Sequence, residues 1–171
     1  MNTLSTSTLA ALEEMLQNTA RPAPPDFLPI QLIGNSTSSQ TIGHLNPEFI
    51  SYLQESLEKH PIPMISMGND QLSISLGRPK ELSQSLYQLA DTLRAGGFIP
   101  GWRNEDFAWL DQNGHKYFRL ERSAFRALGF RSMATHINGY TTANTLWLGR
   151  RSETKTTDPG KLDNIAAGGI T

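Results

Sequence analysis

The chain has 171 residues, 37% of them hydrophobic and 8% aromatic, with a net charge of −1. That is enough for one packed domain or slightly more; it excludes a disordered chain, and no run approaches the ~18 apolar residues of a membrane span. With 0 cysteines, a disulfide framework, a thiolate zinc site and a cysteine nucleophile are also excluded.

The N-terminal stretch, Met1 to Ala20, has no Lys or Arg ahead of its apolar residues, so a secretory leader is not expected. Leu9, Leu12, Met15 and Leu16 recur at helical spacing, and Arg21-Pro22-Ala23-Pro24-Pro25 follows as a stiff linker. A short strand is predicted over Phe27 to Ile33. Gly34 to Ser39 reads as a loop without the lysine that a phosphate-cradling loop requires. Asn46-Pro47-Glu48 is a strong helix start, with Asn as the N-cap and Pro in the first turn. Phe49, Ile50, Leu53 and Leu57 form one apolar face of that helix, and Pro61-Ile62-Pro63 ends it. Ile65, then the alternating Leu72, Ile74 and Leu76, predict two strands around Gly68-Asn69-Asp70.

Pro79 opens a second helix, in which Leu82, Leu86, Leu89 and Leu93 share a face and Gly96-Gly97 act as the stop. Phe107 to Leu110 and Lys116 to Leu120 flank Asp111-Gln112-Asn113-Gly114, a hairpin signal. A short helix is predicted over Glu121 to Leu128, and two last strands over Met133 to Tyr140 and Thr145 to Arg151. This order predicts an α+β fold, with antiparallel strands and packed helices. The expected division is a helix and linker over 1–26, an α+β domain over 27–130, and the start of a second unit over 131–171.

Charge changes along the chain. Residues 1–115 carry 6 basic and 12 acidic side chains, and residues 116–171 carry 9 and 4. A basic segment attracts phosphates or acidic surfaces, although a solvated charged face is the commoner outcome. No helix-turn-helix or zinc-finger spacing points to nucleic acid. The four histidines, His44, His60, His115 and His136, are not at metal-ligand spacing. His136 is the one retained as a candidate, because it lies in a predicted strand beside Asn138 and Gly139. Serines are plentiful, but no G-x-S-x-G elbow supports nucleophilic catalysis. The carboxylate pairs Glu13-Glu14 and Glu105-Asp106 lie on a presumed surface helix and before a strand. Trp102 and Trp109 offer a flat stacking surface if they are exposed, but buried aromatics are the commoner case. The richest stretch is Leu146 to Lys155, where a hydrophobic strand runs out into Arg150, Arg151, Ser152 and Lys155. Arginine forks suit phosphate oxygens, and lysine adds a point charge.

Trp147-Leu148-Gly149-Arg150-Arg151-Ser152, Lys155, Pro159-Gly160-Lys161-Leu162-Asp163-Asn164 and Gly168-Gly169-Ile170 together resemble the start of a Nudix hydrolase domain. The resemblance is narrower still to the Nudix proteins related to the N-terminal part of fungal thiamine pyrophosphokinase, which carry an extra N-terminal domain. Ile42-Gly43-His44-Leu45, Trp102-Arg103-Asn104-Glu105, and Leu120 to Phe125 with Leu128-Gly129 fit that extra domain. His136-Ile137-Asn138-Gly139-Tyr140 bridges to the Nudix part.

The resemblance implies metal-dependent hydrolysis of a phosphoanhydride in a small-molecule diphosphate, with a thiamine diphosphate-like compound as the best guess. Beside the resemblance, the cysteine-free composition is compatible with a cytoplasmic location, the missing motifs and spans give no nucleic-acid or membrane partner, and the exposed edge of an unfinished sheet suggests a homodimer. Arg150, Arg151, Lys155, Asp163 and Asn164 become the substrate-binding candidates. In the family a loop delivers a helix whose glutamates hold Mg²⁺ or Mn²⁺, following the pattern G-x5-E-x7-R-E-U-x-E-E-x-G-U. With Gly168 as its first glycine, the first glutamate falls beyond Thr171. The expectation is therefore an incomplete α/β/α sandwich, no catalytic residue within the chain, an inactive product, and at most the Gly168 backbone carbonyl toward a metal. The alternative expectation is a non-catalytic binding or interaction module.

Overall fold

Six of the strands and all three helices described here arise before residue 130. The computed structural model describes residues 7, 10, 14, 22–34, 39–143, 145–155 and 158–170. The helix expected around Leu9, Leu12, Met15 and Leu16 therefore lies outside the described residues, as does most of the Gly34 to Ser39 loop.

The first layer is a four-stranded sheet in the order β2-β1-β4-β3, built from β1 (Leu28–Ile33), β2 (Ser39–Leu45), β3 (Ile65–Met67) and β4 (Leu72–Ser75). The pairs β1–β2 and β3–β4 are antiparallel, and the central pair β1–β4 is parallel. The α+β architecture thus contains one parallel pair where an all-antiparallel sheet is expected. Strand β2 was not legible as a strand. Its N-terminal half is polar, and a bulge between Ile30 and Gln31 breaks the alternation that would mark it.

Helix α1 (Pro47–Lys59) begins where Asn46 caps it, its side chain accepting from Glu48 N–H at 3.0 Å. Helix α2 (Pro79–Ala95) buries Leu82, Leu86, Leu89 and Leu93 completely. Truncating one such leucine costs roughly 2–5 kcal/mol. Strands β5 (Asp106–Leu110) and β6 (Lys116–Glu121) form the expected hairpin, and α2 packs along β6. Arg119 N–H donates to Ser83 Oγ at 3.0 Å, which joins the helix to the strand. Helix α3 (Arg122–Ala127) closes this layer. Its Phe125 lies within 6.2 Å, ring centroid to centroid, of Phe107, Phe118 and Phe130.

The end of α3 folds back on β2. His44 N–H donates to the Leu128 carbonyl at 3.2 Å. A Cβ on Gly43 would sit 2.5 Å from that carbonyl oxygen and 2.7 Å from the Phe130 ring. The two short motifs around Gly43 and Gly129 are therefore one packing contact.

The described residues between 133 and 170 form three two-stranded ladders: β7 (Ala134–Ile137) with β12 (Ala166–Gly169), β8 (Gly139–Tyr140) with β9 (Leu146–Trp147), and β10 (Gly149–Arg150) with β11 (Leu162–Asp163). Each of the two long strands expected here is broken into two, at Asn138 and at Leu148, because the chain changes partner at those residues. Strands β11 and β12 were not anticipated, since Ala166-Ala167-Gly168-Gly169 has neither β-branched residues nor alternation. Met133, Ile137, Tyr140, Trp147 and Ile165 are exposed, so these ladders enclose no core of their own. They meet the β5–β6 hairpin at Gly169, where a Cβ would lie 2.4 Å from Cζ of the buried Phe107.

Gly169→Ala is expected to lose about 1–3 kcal/mol, because Phe107 has no room to retreat. Gly168→Ala, where a Cβ meets nothing within 4 Å, is expected to stay within about 0.5 kcal/mol of the parent. Urea unfolding of both variants checks the pair of outcomes. Equal midpoints would mean that β12 is not seated on Phe107.

Candidate functional site

A buried carboxylate positions the helix on one side of the site. Glu121, 1% exposed, ends β6 and caps α3. One carboxylate oxygen accepts from Arg103 N–H at 2.6 Å; the other accepts from Ser123 N–H at 2.6 Å and Ala124 N–H at 3.2 Å. An ionised acceptor suits both the orphan amides and the positive end of a helix. Ser123 Oγ donates to the Gly101 carbonyl at 2.7 Å, Arg122 N–H donates to the Glu105 carbonyl at 2.8 Å, and the Arg122 guanidinium pairs with the Glu105 carboxylate at 2.7 Å. The segments Gly101 to Glu105 and Glu121 to Ala124 thus clasp each other. With Ala124 and Phe125 buried, the neighbouring helix stripe carries Arg122 and Arg126, four residues apart.

That stripe faces a cleft of about 650 Å³, whose other wall comes from β10, β11, β12 and the turn after β10. Arg150, Arg151, Lys155, Asp163, Asn164 and Gly168, the residues singled out from the sequence, all line it. Arg122 and Arg126 were missed. The signal that could have found them is their i, i+4 spacing in a short helix that begins within one of the resemblance motifs. The lining holds five cationic side chains against one carboxylate, Asp163.

The polar residues divide into two groups. Arg151 pairs with Asp163 at 2.5 Å. The Asn164 amide is engaged at both ends: its Oδ1 lies 2.9 Å from His136 Nδ1, and its Nδ2 donates to Asn138 Oδ1 at 3.0 Å. These contacts tie β11 to β7 and fix the floor. By contrast, Arg126, Arg150 and Lys155 make no ion pair with the described residues. Such cations in one cleft attract an anion with several oxygens.

The other candidates lie elsewhere. Trp109 is 3% exposed and stacked on Phe118 in the core, and Trp102 is half-buried with Arg94 4.5 Å from its ring centroid, so no open stacking platform forms. Glu105 is taken by Arg122, and Asp106 accepts from the Tyr87 hydroxyl. His60 caps the C-terminus of α1, and His115 sits 3.1 Å from the Asp111 carboxylate in the hairpin turn.

A divalent cation does not fit the described residues. No group of three or more His, Asp or Glu comes together among them, and hard cations need several oxygen ligands. Gly168 pairs with Thr135 in the β7–β12 ladder, and Asp163 is already committed to Arg151.

The Arg151 guanidinium, and after it the Asn164 N–H, holds the Asp163 carboxyl below its ordinary value of 3.8. A depressed folded-state value means that the pair's contribution to stability is present above pH 3.8 and is lost as pH falls through the lower folded value. NMR titration of Asp163 should show a midpoint under 3.8 in the parent, and Arg151→Ala should move it upward. An unchanged midpoint in that variant would break the assignment.

No helix of the described residues is long and apolar enough to cross a membrane. Among known proteins, the chain is similar to Nudix hydrolase 24, chloroplastic, of Arabidopsis thaliana, with 31% identity over 149 residues, covering 85% of this chain and 39% of that protein. It is similar to Nudix hydrolase 20, chloroplastic, of the same plant, with 30% identity over 158 residues, covering 85% of this chain and 40% of that protein. An uncharacterized protein of Saccharomyces cerevisiae is 42% identical over 78 residues, covering 42% of this chain and 22% of its own length. The chain thus spans well under half the length of these relatives. Residues 32–132, which contain the whole Glu121 clasp, match the family described as "Domain of unknown function (DUF4743)". The chain belongs to that family, and its similarity to the two plant Nudix hydrolases runs beyond the family segment over 85% of its residues.

Proposed function

We propose that this chain is the diphosphate-holding N-terminal portion of a Nudix-type pyrophosphohydrolase. The observation that carries the reading is the convergence of Arg126, Arg150 and Lys155, all without ion-pair partners among the described residues, on one cleft of about 650 Å³. That volume suits a small organic ligand. Fixed guanidinium and ammonium groups in such a cleft neutralise phosphate oxygens and orient them. Arg151 is held by Asp163 and so approaches the ligand from a set direction.

In this reading residues 27–130 form the extra domain and 131–171 begin the Nudix unit. The substrate is a small organic diphosphate, and thiamine diphosphate is the first compound to test. Cleavage of the anhydride is not assigned to these residues, because they supply no metal-binding carboxylate cluster among the described positions. The second reading is a binding module that does no chemistry by itself.

Calorimetry of the 171-residue chain with thiamine diphosphate is expected to give saturable binding, with thiamine itself giving none. Arg150→Ala should weaken the diphosphate by about tenfold or more, as loss of a hydrogen bond to a charged group does. No heat at millimolar diphosphate would sink both readings. Phosphate release by the chain alone in Mg²⁺ would instead sink the assignment of cleavage to other sequence.

A further inference from the structure

A second cleft, of about 730 Å³, adjoins the first and is lined by Pro100, Gly101, Arg103, Glu105, Ser123 and Ala127 together with Arg122, Arg126 and Lys155. Arg122, Arg126 and Lys155 line both clefts. They mark a shared border between the domain of unknown function and the segment that follows it. Arg122 is held back there by Glu105 at 2.7 Å and lies 5.3 Å from the Phe107 ring centroid. Arg126 has an exposed side chain and no ion pair with the described residues.

From this border we infer that Arg126 is a specificity residue, contributed by the domain of unknown function, that binds the second phosphate of a diphosphate whose first phosphate sits on Arg150. The inference rests on the diphosphate reading of the cleft. Cations stand on two walls that come from different parts of the chain, α3 on one side and the β10–β11 region on the other. A single phosphate satisfies one wall. Two linked phosphates engage both, and each gains charge-assisted hydrogen bonds only if the other wall is in place. The domain of unknown function then has a chemical task beyond support: it makes the site prefer a diphosphate over a monophosphate. Glu121 and Glu105 act through position, since they hold α3 and Arg122 so that Arg126 projects into the border.

The test uses the 171-residue chain with inorganic pyrophosphate and inorganic phosphate as probes, measured by calorimetry on the parent, Arg126→Ala, Arg126→Lys and Arg150→Ala. The Arg126 residue is exposed and its side chain makes no hydrogen bond or ion pair among the described residues, while its backbone carbonyl, which accepts from Gly129 N–H at 3.0 Å, is kept in every variant, so the variants should melt with the parent. Arg126→Ala is expected to lose about tenfold or more in pyrophosphate affinity, with phosphate affinity little changed. Arg126→Lys should recover part of the loss, and Arg150→Ala should weaken both probes. If Arg150→Ala weakens pyrophosphate while Arg126→Ala does not, the inference fails and the diphosphate cleft stands. Equal losses of both probes in Arg126→Ala also overturn it, because the residue then reads charge and not a second phosphate. A parent chain that binds neither probe overturns the diphosphate reading itself.

Discussion

The arrangement depends on one buried carboxylate. Glu121 is almost wholly removed from water, yet its two oxygens are shared among three backbone N–H groups. A buried charge is costly unless it is fully hydrogen-bonded. Here the bonds reach in two directions, to the start of α3 and to the loop at Arg103. The loop and the helix are therefore fixed as a pair, and the arginines on the outer stripe of α3 inherit that geometry. A six-residue helix has little stability of its own. It keeps its orientation through the cap, through Phe125 in the aromatic core, and through the return of Leu128 and Gly129 onto β2.

A second constraint brings the other wall of the cleft into range. The ladders after residue 133 expose much of their apolar surface, so they do not hold themselves in place by a core of their own. Gly169 lets β12 pass close over Phe107, and Ile170 N–H donates to the Met133 carbonyl at 2.9 Å, which extends the β7–β12 ladder. Phe107 is shared: its ring packs edge-on to Phe125 and lies near the Arg122 guanidinium. The same side chain thus touches α3, the Arg122 cation and the last strand. Local packing at one ring couples the two walls that a ligand would span.

The helices were legible because their signals are local. Asn46-Pro47, Pro79 and the leucines of α2 state start, stop and face within a few residues of each other. The β5–β6 hairpin was legible for the same reason. Strands β2, β11 and β12 were not, since pairing partners and close backbone approaches, not alternation, define them. The cationic half of the site at Arg150, Arg151 and Lys155 could be read from a charged strand end. The half on α3 could not, because Arg122 and Arg126 become part of the cleft only after the chain has folded over Phe107. Asn164 is expected from the sequence as a substrate-binding residue. The structure shows its amide engaged with His136 and Asn138, a contact between residues far apart in sequence.

The most direct test of a diphosphate site shared by α3 and the β10–β11 region is a crystal structure of the 171-residue chain grown with methylenediphosphonate, which cannot be hydrolysed. The account predicts one phosphonate group on the guanidinium of Arg150 and the other on that of Arg126, with Lys155 beside the bridge. A diphosphonate bound away from this cleft, or held by the β10–β11 wall alone with Arg126 pointing into solvent, would contradict it.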